Sequence, residues 1–130
     1  MKKILVIDDD TYICTLLENF LKEEGYSVET AFSGNKGLKK IRDNDFDLVI
    51  SDFRLPDIDG MRVLESIKKM QSSLPVIIMT AYAEIQSAVQ IIKGGAYDYI
   101  TKPIRPEEIL TLVRGALRGN RRSRSRKEFE

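Results

Sequence analysis

Short apolar runs rich in β-branched residues alternate five times with longer stretches whose apolar residues recur every three or four positions. The runs have the length of strands, and the longer stretches have the period of helices that are apolar on one face. The predicted strands are Lys3–Ile7, Ser27–Phe32, Asp47–Ser51, Pro75–Thr80 and Tyr97–Thr101. The predicted helices are Thr11–Glu24, Asn35–Arg42, Gly60–Met70, Glu84–Lys93 and a last one that begins at Pro106 and bears Leu117.

This alternation restricts the fold to a small set. Strands that are apolar on both faces, such as Lys3–Ile7, are typical of a parallel sheet covered by helices on both sides. Parallel neighbours require crossover connections, which are right-handed, and a chain with five βα units is too short for an eight-stranded barrel. We therefore predict an α/β fold of the flavodoxin-like (βα)5 type, with a doubly wound, five-stranded parallel sheet in the order 2-1-3-4-5.

The composition excludes several functional classes. A chain that is 42% hydrophobic and 32% charged is globular, and its longest apolar runs fall far short of the roughly 20 residues that span a membrane. With no signal-peptide core after Met1, a cytoplasmic location without a membrane partner is expected. One cysteine, Cys14, and no histidine exclude an internal disulfide, a histidine-based triad and a multi-cysteine zinc site.

The charge of the chain is unevenly distributed. The net charge of +1 argues against a chain built throughout for nucleic acid, and no nucleic-acid contact by the main domain is expected. Residues 119–130 carry five basic and two acidic residues, whereas residues 1–118 carry 16 basic and 18 acidic ones. We predict a domain over 1–118 followed by a basic linker or C-terminal tail over 119–130. If the last helix continues into this tail, it could pair two subunits as a homodimer.

Polar residues lie where the predicted strands end, and in a parallel sheet these ends share one edge. Asp8, Asp9 and Asp10 follow the first strand, Asp52 follows the third, Thr80 ends the fourth and Lys102 follows the fifth. A single aspartate at such a place is usually a helix N-cap, and Asp10 is predicted to be one. Four carboxylates at one edge repel each other unless a cation is present, and an all-oxygen ligand set favours Mg²⁺.

The same chemical groups are needed to transfer a phosphoryl group to an aspartate. The transition state of this transfer is stabilised mainly by positioning and charge neutralisation, which a divalent cation, a lysine and a hydroxyl donor supply. An ionised carboxylate needs no general base, so the absence of histidine is no obstacle.

Over about residues 2–118 the sequence resembles the CheY-like receiver domain of two-component response regulators. The segment DFRLPDIDG from Asp52, the pair Thr80-Ala81 and the pair Lys102-Pro103 carry the resemblance, together with the first acidic cluster. The resemblance implies that Asp52 is the phospho-acceptor, that Lys102 and Thr80 contact the phosphoryl group, and that Pro103 follows a cis peptide bond. It assigns Mg²⁺ to Asp8, Asp9, Asp52 and the backbone carbonyl of Arg54.

The resemblance also implies a switch. Thr80 and Tyr99 would be its two switch residues, with the small Ala81 beside the phosphoryl group. The face formed by the fourth helix, fifth strand and fifth helix would then change shape and control an output domain. In this interpretation the chain is a signalling switch and not an enzyme with turnover, and its partner is a sensor histidine kinase.

The sequence of residues 76–82 and 95–99 is similar to the corresponding segments in receivers of NtrC-type regulators. That similarity implies an output beyond residue 130 that consists of a sigma-54 activating ATPase and a DNA-binding domain, and hence a role in transcription.

Three alternatives share part of this pattern. A haloacid-dehalogenase-like phosphatase also uses a strand-end aspartate and Mg²⁺, but its motif needs threonine or valine where this chain has Tyr12. A degenerate receiver that acts only as a binding module would lack some of the site residues, all of which are present. A flavin-binding electron carrier shares the fold, but the sequence has no phosphate-cradling loop for it.

Overall fold

The computed structural model describes residues 1–81 and 86–119. Its strands are β1 (Lys3–Ile7), β2 (Ser27–Ala31), β3 (Leu48–Asp52), β4 (Val76–Thr80) and β5 (Asp98–Thr101). Its helices are α1 (Thr11–Glu23), α2 (Gly34–Asp43), α3 (Gly60–Met70), α4 (Ala88–Lys93) and α5 (Pro106–Leu117). The predicted beginning of the fourth helix at Glu84 and the predicted tail from residue 120 onward lie outside the described residues. None of the described helices has the length and apolar character needed to cross a membrane.

The five strands form one parallel sheet in the order β2-β1-β3-β4-β5, which confirms the predicted fold. Ile7 is paired with Ser51, Asp52 with Met79, and Thr80 with Thr101. The carboxyl ends of β1, β3, β4 and β5 therefore meet at the same edge.

Two cores lie on opposite faces of this sheet, because successive side chains of a strand point to opposite sides. Leu5 and Ile7 face the core that is closed by α2, α3 and α4. Ile4 and Val6 face the core that is closed by α1 and α5. Both sets of β1 side chains are fully buried, which explains why residues 4–7 are apolar without alternation.

The third strand is shifted by one residue from its predicted position. It covers Leu48–Asp52 rather than Asp47–Ser51, because the backbone N–H of Phe53 donates to the carbonyl of Met79 (2.9 Å) and extends the pairing. Asp52 is therefore the last residue of the strand rather than the first residue of the loop, and its backbone is fixed by the sheet.

Helix α1 packs against the sheet through three residues. Cys14, Leu17 and Leu21 are buried, whereas Leu16 is 37% exposed. The helix is rotated so that the small thiol packs against the sheet, where its Sγ donates to the carbonyl of Asp8 (3.2 Å). The predicted N-cap is confirmed: the carboxylate of Asp10 accepts from the backbone N–H groups of Tyr12 and Ile13.

The thiol of Cys14 is expected to resist alkylation while the chain is folded. It is 2% exposed, and burial, helped by the negative charge of Asp8, raises its pKa to about 12. At about pH 8, roughly one thiol in ten thousand is ionised at that pKa, and only the thiolate reacts. Iodoacetamide should modify the urea-unfolded chain much faster than the native chain, which mass spectrometry can follow. Equal rates in the two states would contradict the burial.

Candidate functional site

The carboxyl edge of the sheet carries a cluster of carboxylates. Asp8 follows β1 and is fully buried, and Asp52 ends β3 with 7% of its surface exposed. Asp9 is exposed, and one carboxylate oxygen from each of the three residues lies within 4.8 Å of the others. The structure thus brings Asp8, Asp9 and Asp52 together. Two of these residues are buried in the protein, and Asp9 is open to water.

Lys102 connects the two buried members of this cluster. Its Nζ lies 3.1 Å from Oδ2 of Asp8 and 3.1 Å from Oδ1 of Asp52, and its side chain is 25% exposed. The other carboxylate oxygen of Asp8 accepts from the backbone N–H of Asp10 (2.9 Å). The peptide bond between Lys102 and Pro103 is cis, as the resemblance implied.

The charges of this cluster do not balance. Three carboxylates face one ammonium group, so two negative charges are left when all four groups are ionised. A divalent cation would neutralise them, and a donor set made only of oxygen atoms suits a hard cation. The residues therefore fit a metal ion, and the cluster could hold one.

Burial and charge shift the pKa values of the cluster. Burial raises the pKa of Asp8, and the hydrogen bonds from Asp10 and Lys102 offset only part of this effect. Burial raises the pKa of Asp52 as well, and the negative charge of Asp8 adds to it. Burial lowers the pKa of Lys102, but the attraction of Asp52 and Asp8 outweighs it, so that the net shift is upward. Lys102 thus stays charged while the two carboxylates compete for it.

Thr80 lies at the end of β4, next to the strand that carries Asp52. Its side chain is fully buried, and its Oγ1 has no hydrogen-bond partner among the residues that the structure describes. A buried hydroxyl without a partner is rare, because leaving it unpaired costs about 1–3 kcal/mol. Such a hydroxyl at this edge is available to donate to a bound group. Ala81, the next residue, is exposed.

Tyr99 is placed differently from the other predicted site residues. It is 8% exposed and belongs to the core that α2, α3 and α4 close. The aromatic ring therefore lies inward in this structure, and the role of Tyr99 as a switch residue stays a prediction.

Arg54 lies two residues beyond Asp52, in the loop between β3 and α3. Its side chain is exposed, with the guanidinium carbon 5.9 Å from the centre of the Phe53 ring. The loop is closed at its base, because the backbone N–H of Gly60 donates to the carbonyl of Phe53 (3.1 Å). The assignment of the Arg54 carbonyl to a metal stays a prediction.

The parallel sheet in this order carries an acidic cluster and a lysine at its carboxyl edge, the arrangement expected for the class of signalling domain that the sequence resembles. Residues 4–114 match the family of the response regulator receiver domain, and the chain belongs to this family.

Curated relatives include transcriptional regulatory proteins. The chain is 42% identical over 122 residues to ZraR of Klebsiella oxytoca, which covers 94% of this chain and 28% of that protein. It is 40% identical over 114 residues to GlrR of Escherichia coli, which covers 88% of this chain and 26% of that protein. The chain thus spans little more than a quarter of the length of these relatives.

Solved structures of receiver domains are also similar to this chain. A receiver domain protein from Clostridium thermocellum superposes with a TM-score of 0.88 at 33% identity, covering 92% of this chain and 96% of that one. NtrX from Brucella abortus superposes with a TM-score of 0.87 at 35% identity, covering 92% of this chain and 28% of that one. The predicted family, its fold and the likeness to receivers of NtrC-type regulators are confirmed.

Proposed function

We propose that the chain accepts a phosphoryl group on Asp52 and passes the signal on as a change of shape. The observation that supports this most is the ammonium of Lys102, which lies 3.1 Å from both the acceptor carboxylate and Asp8. It holds the Asp52 carboxylate at the edge of the sheet with an ionised oxygen available as the nucleophile.

The metal in this proposal is Mg²⁺, held by Asp8, Asp9, Asp52 and the backbone carbonyl of Arg54. When bound, it would supply positive charge for the phosphoryl oxygens that gain charge during transfer. The two uncompensated negative charges of the cluster are what would bind it, and the exposed Asp9 leaves one side open for hydration water.

The transfer itself is a substitution at phosphorus. An oxygen of the Asp52 carboxylate forms a bond to phosphorus while the bond between phosphorus and the donor breaks, and the donor leaves with that electron pair. Lys102 neutralises charge on the transferred oxygens, and the unpaired Thr80 hydroxyl donates to one of them. The product is an aspartyl phosphate.

The signal would leave the site through Thr80 and Tyr99. A hydrogen bond between Thr80 and the new phosphoryl group adds a contact that exists only in the phosphorylated state, so it shifts the population toward one packing. Tyr99, which lies in the core closed by α2, α3 and α4, would stabilise the same packing, with the face of α4, β5 and α5 as the output surface. In this role the chain is a switch, not an enzyme with turnover.

The partners follow from the same reaction. The donor would be the phosphohistidine of a sensor kinase, and the output would be a domain beyond residue 130 that acts in transcription, of the ATPase and DNA-binding type. A boundary near residue 118 is supported by the end of α5 at Leu117 and by the end of the family match at residue 114.

A small-molecule donor tests the proposal without a kinase. The chain is incubated with acetyl phosphate and Mg²⁺, and intact mass spectrometry should show one added phosphoryl group per chain, which hydroxylamine removes. Excess EDTA should prevent labelling. An unlabelled chain at saturating Mg²⁺, or labelling that EDTA does not affect, would contradict the proposal.

The same preparation tests the phosphatase alternative. A haloacid-dehalogenase-like enzyme would release phosphate from p-nitrophenyl phosphate over many turnovers, whereas a receiver releases none beyond the decay of its own label. Sustained release would favour the phosphatase.

A further inference from the structure

Asp57 connects the loop that follows the acceptor to a helix more than twenty residues earlier in the chain. Its Oδ1 accepts from the backbone N–H of Gly34 and its Oδ2 from that of Asn35, both at 2.9 Å. These are the first two residues of α2. No local motif of either segment predicts this contact.

The two hydrogen bonds complete the capping of α2. The first four N–H groups of a helix have no partner within it. In the first turn of α2, the N–H of Lys36 donates to Oγ of Ser33, and the N–H groups of Gly34 and Asn35 donate to Asp57. The next N–H, that of Gly37, makes the first ordinary helical bond, to the carbonyl of Ser33. The carboxylate also benefits from the positive end of the helix dipole. Loss of hydration raises the pKa of Asp57, but the backbone hydrogen bonds outweigh it and the net shift is downward.

Packing also holds the loop of residues 53–59 against the beginning of α2, and this contact is called the loop–α2 junction below. A Cβ at Gly34 would overlap Cγ2 of Ile58, the residue after Asp57, so the loop lies directly against the backbone of α2. At the other end of the loop, a Cβ at Gly60 would overlap the carbonyl oxygen of Phe53. The segment 53–59 is therefore held at its base by its own backbone and at its middle by α2.

We propose that Asp57 is a positioning residue for metal binding, which rests on the function proposed above. The loop that it holds carries the carbonyl of Arg54, the one backbone ligand of the proposed metal set. Asp8 and Asp52 are fixed by the sheet and by Lys102, whereas the position of Arg54 depends on the loop. Asp57 fixes that loop against α2 without touching the metal.

The variant Asp57→Asn tests this with Mg²⁺ alone. The amide keeps the shape of the side chain but places a donor against a backbone N–H, so the loop–α2 junction loosens. Isothermal titration calorimetry should show Mg²⁺ binding about tenfold weaker, the lower end of what losing a ligand-supporting hydrogen bond costs. Amide exchange at Gly34 and Asn35, followed by NMR without metal, should become faster.

Two matched variants separate positioning from charge and from helix capping. Glu65→Gln removes one exposed carboxylate that lines the same surface groove as Asp57. Ser33→Ala removes the other side-chain cap of α2 without touching the loop. Both should bind Mg²⁺ as the wild type does, and urea unfolding should show that Ser33→Ala, like Asp57→Asn, is destabilised.

The outcomes distinguish this inference from the proposed function. If the wild type binds Mg²⁺ and is labelled while Asp57→Asn titrates like the wild type, the positioning role is wrong and the acceptor site stands. Equal weakening in Ser33→Ala or Glu65→Gln would likewise overturn it. A wild type that neither binds Mg²⁺ nor accepts a label contradicts the proposed function, and the inference fails with it.

Discussion

Replacing Asp52 with asparagine is expected to slow labelling by acetyl phosphate by about two orders of magnitude or more, because the amide is not a nucleophile. The side chain keeps its shape, so the sheet edge and the loop beyond it should be undisturbed. Labelling is measured by intact mass at saturating Mg²⁺ over a time course that labels the wild type completely.

The same variant should fold at least as stably as the wild type. Burial and the charge of Asp8 raise the pKa of Asp52, so at neutral pH its ionised form is less favourable in the folded state than in the unfolded one. Removing that charge leaves Asp8 as the single buried partner of Lys102. Urea unfolding at neutral pH tests this and separates a lost nucleophile from a lost fold.

Asp45→Asn is the matched control, since Asp45 is an exposed carboxylate in the connection between α2 and β3. It should be labelled like the wild type. If Asp52→Asn is labelled at the wild-type rate, the acceptor assignment is wrong, and peptide mapping of the label would then decide between Asp8 and Asp9.

The fold could be predicted from the sequence because its signal is repeated. Each βα unit shows a change from a β-branched run to a helical period, and the sheet order follows from the rules for such units. Boundaries were less predictable, since they depend on hydrogen bonds between strands. Asp52 became part of β3 only through the bond between Phe53 and Met79, which no pattern around Asp52 indicates.

The clustering of Asp8, Asp52 and Lys102 could be predicted from the sequence, but the contacts between them could not. The position of Asp8, Asp52 and Lys102 at strand ends was enough to expect them at one edge. The pairing of Lys102 with Asp8 could not be expected, because the two residues lie 94 positions apart along the chain. Asp57 was missed altogether, since its role depends on where the loop meets α2.

Replacing Lys102 with methionine is expected to lower the free energy of unfolding by about 3 kcal/mol at neutral pH, the lower end of what breaking a buried ion pair costs. Methionine keeps most of the side-chain volume and removes the ammonium. Asp8 and Asp52, 0% and 7% exposed, would then face each other without a counterion. Urea unfolding in buffer with EDTA measures the loss.

The surface pair of Lys40 and Glu29 provides the control. Their side chains are 38% and 32% exposed at an N–O distance of 2.9 Å, so Lys40→Met should cost less than about 1 kcal/mol, as exposed pairs do. An equal loss in Lys40→Met and Lys102→Met would show that Lys102 is an ordinary surface charge and would contradict the cluster.

The loss in Lys102→Met should shrink under two conditions that supply the missing positive charge. Lowering the pH is the first: a carboxyl whose pKa is higher in the folded state than the ordinary 3.8 takes up protons there first, so stability rises as pH falls through that interval. Without Lys102 the upward shifts in the pKa values of Asp8 and Asp52 are larger, and the gain in stability on acidification should exceed that of the wild type.

Addition of Mg²⁺ is the second condition, because a ligand that binds only the folded state stabilises it, and the site of the variant is more negative. Stability that responds neither to acid nor to Mg²⁺ would mean that the two aspartates do not form one site.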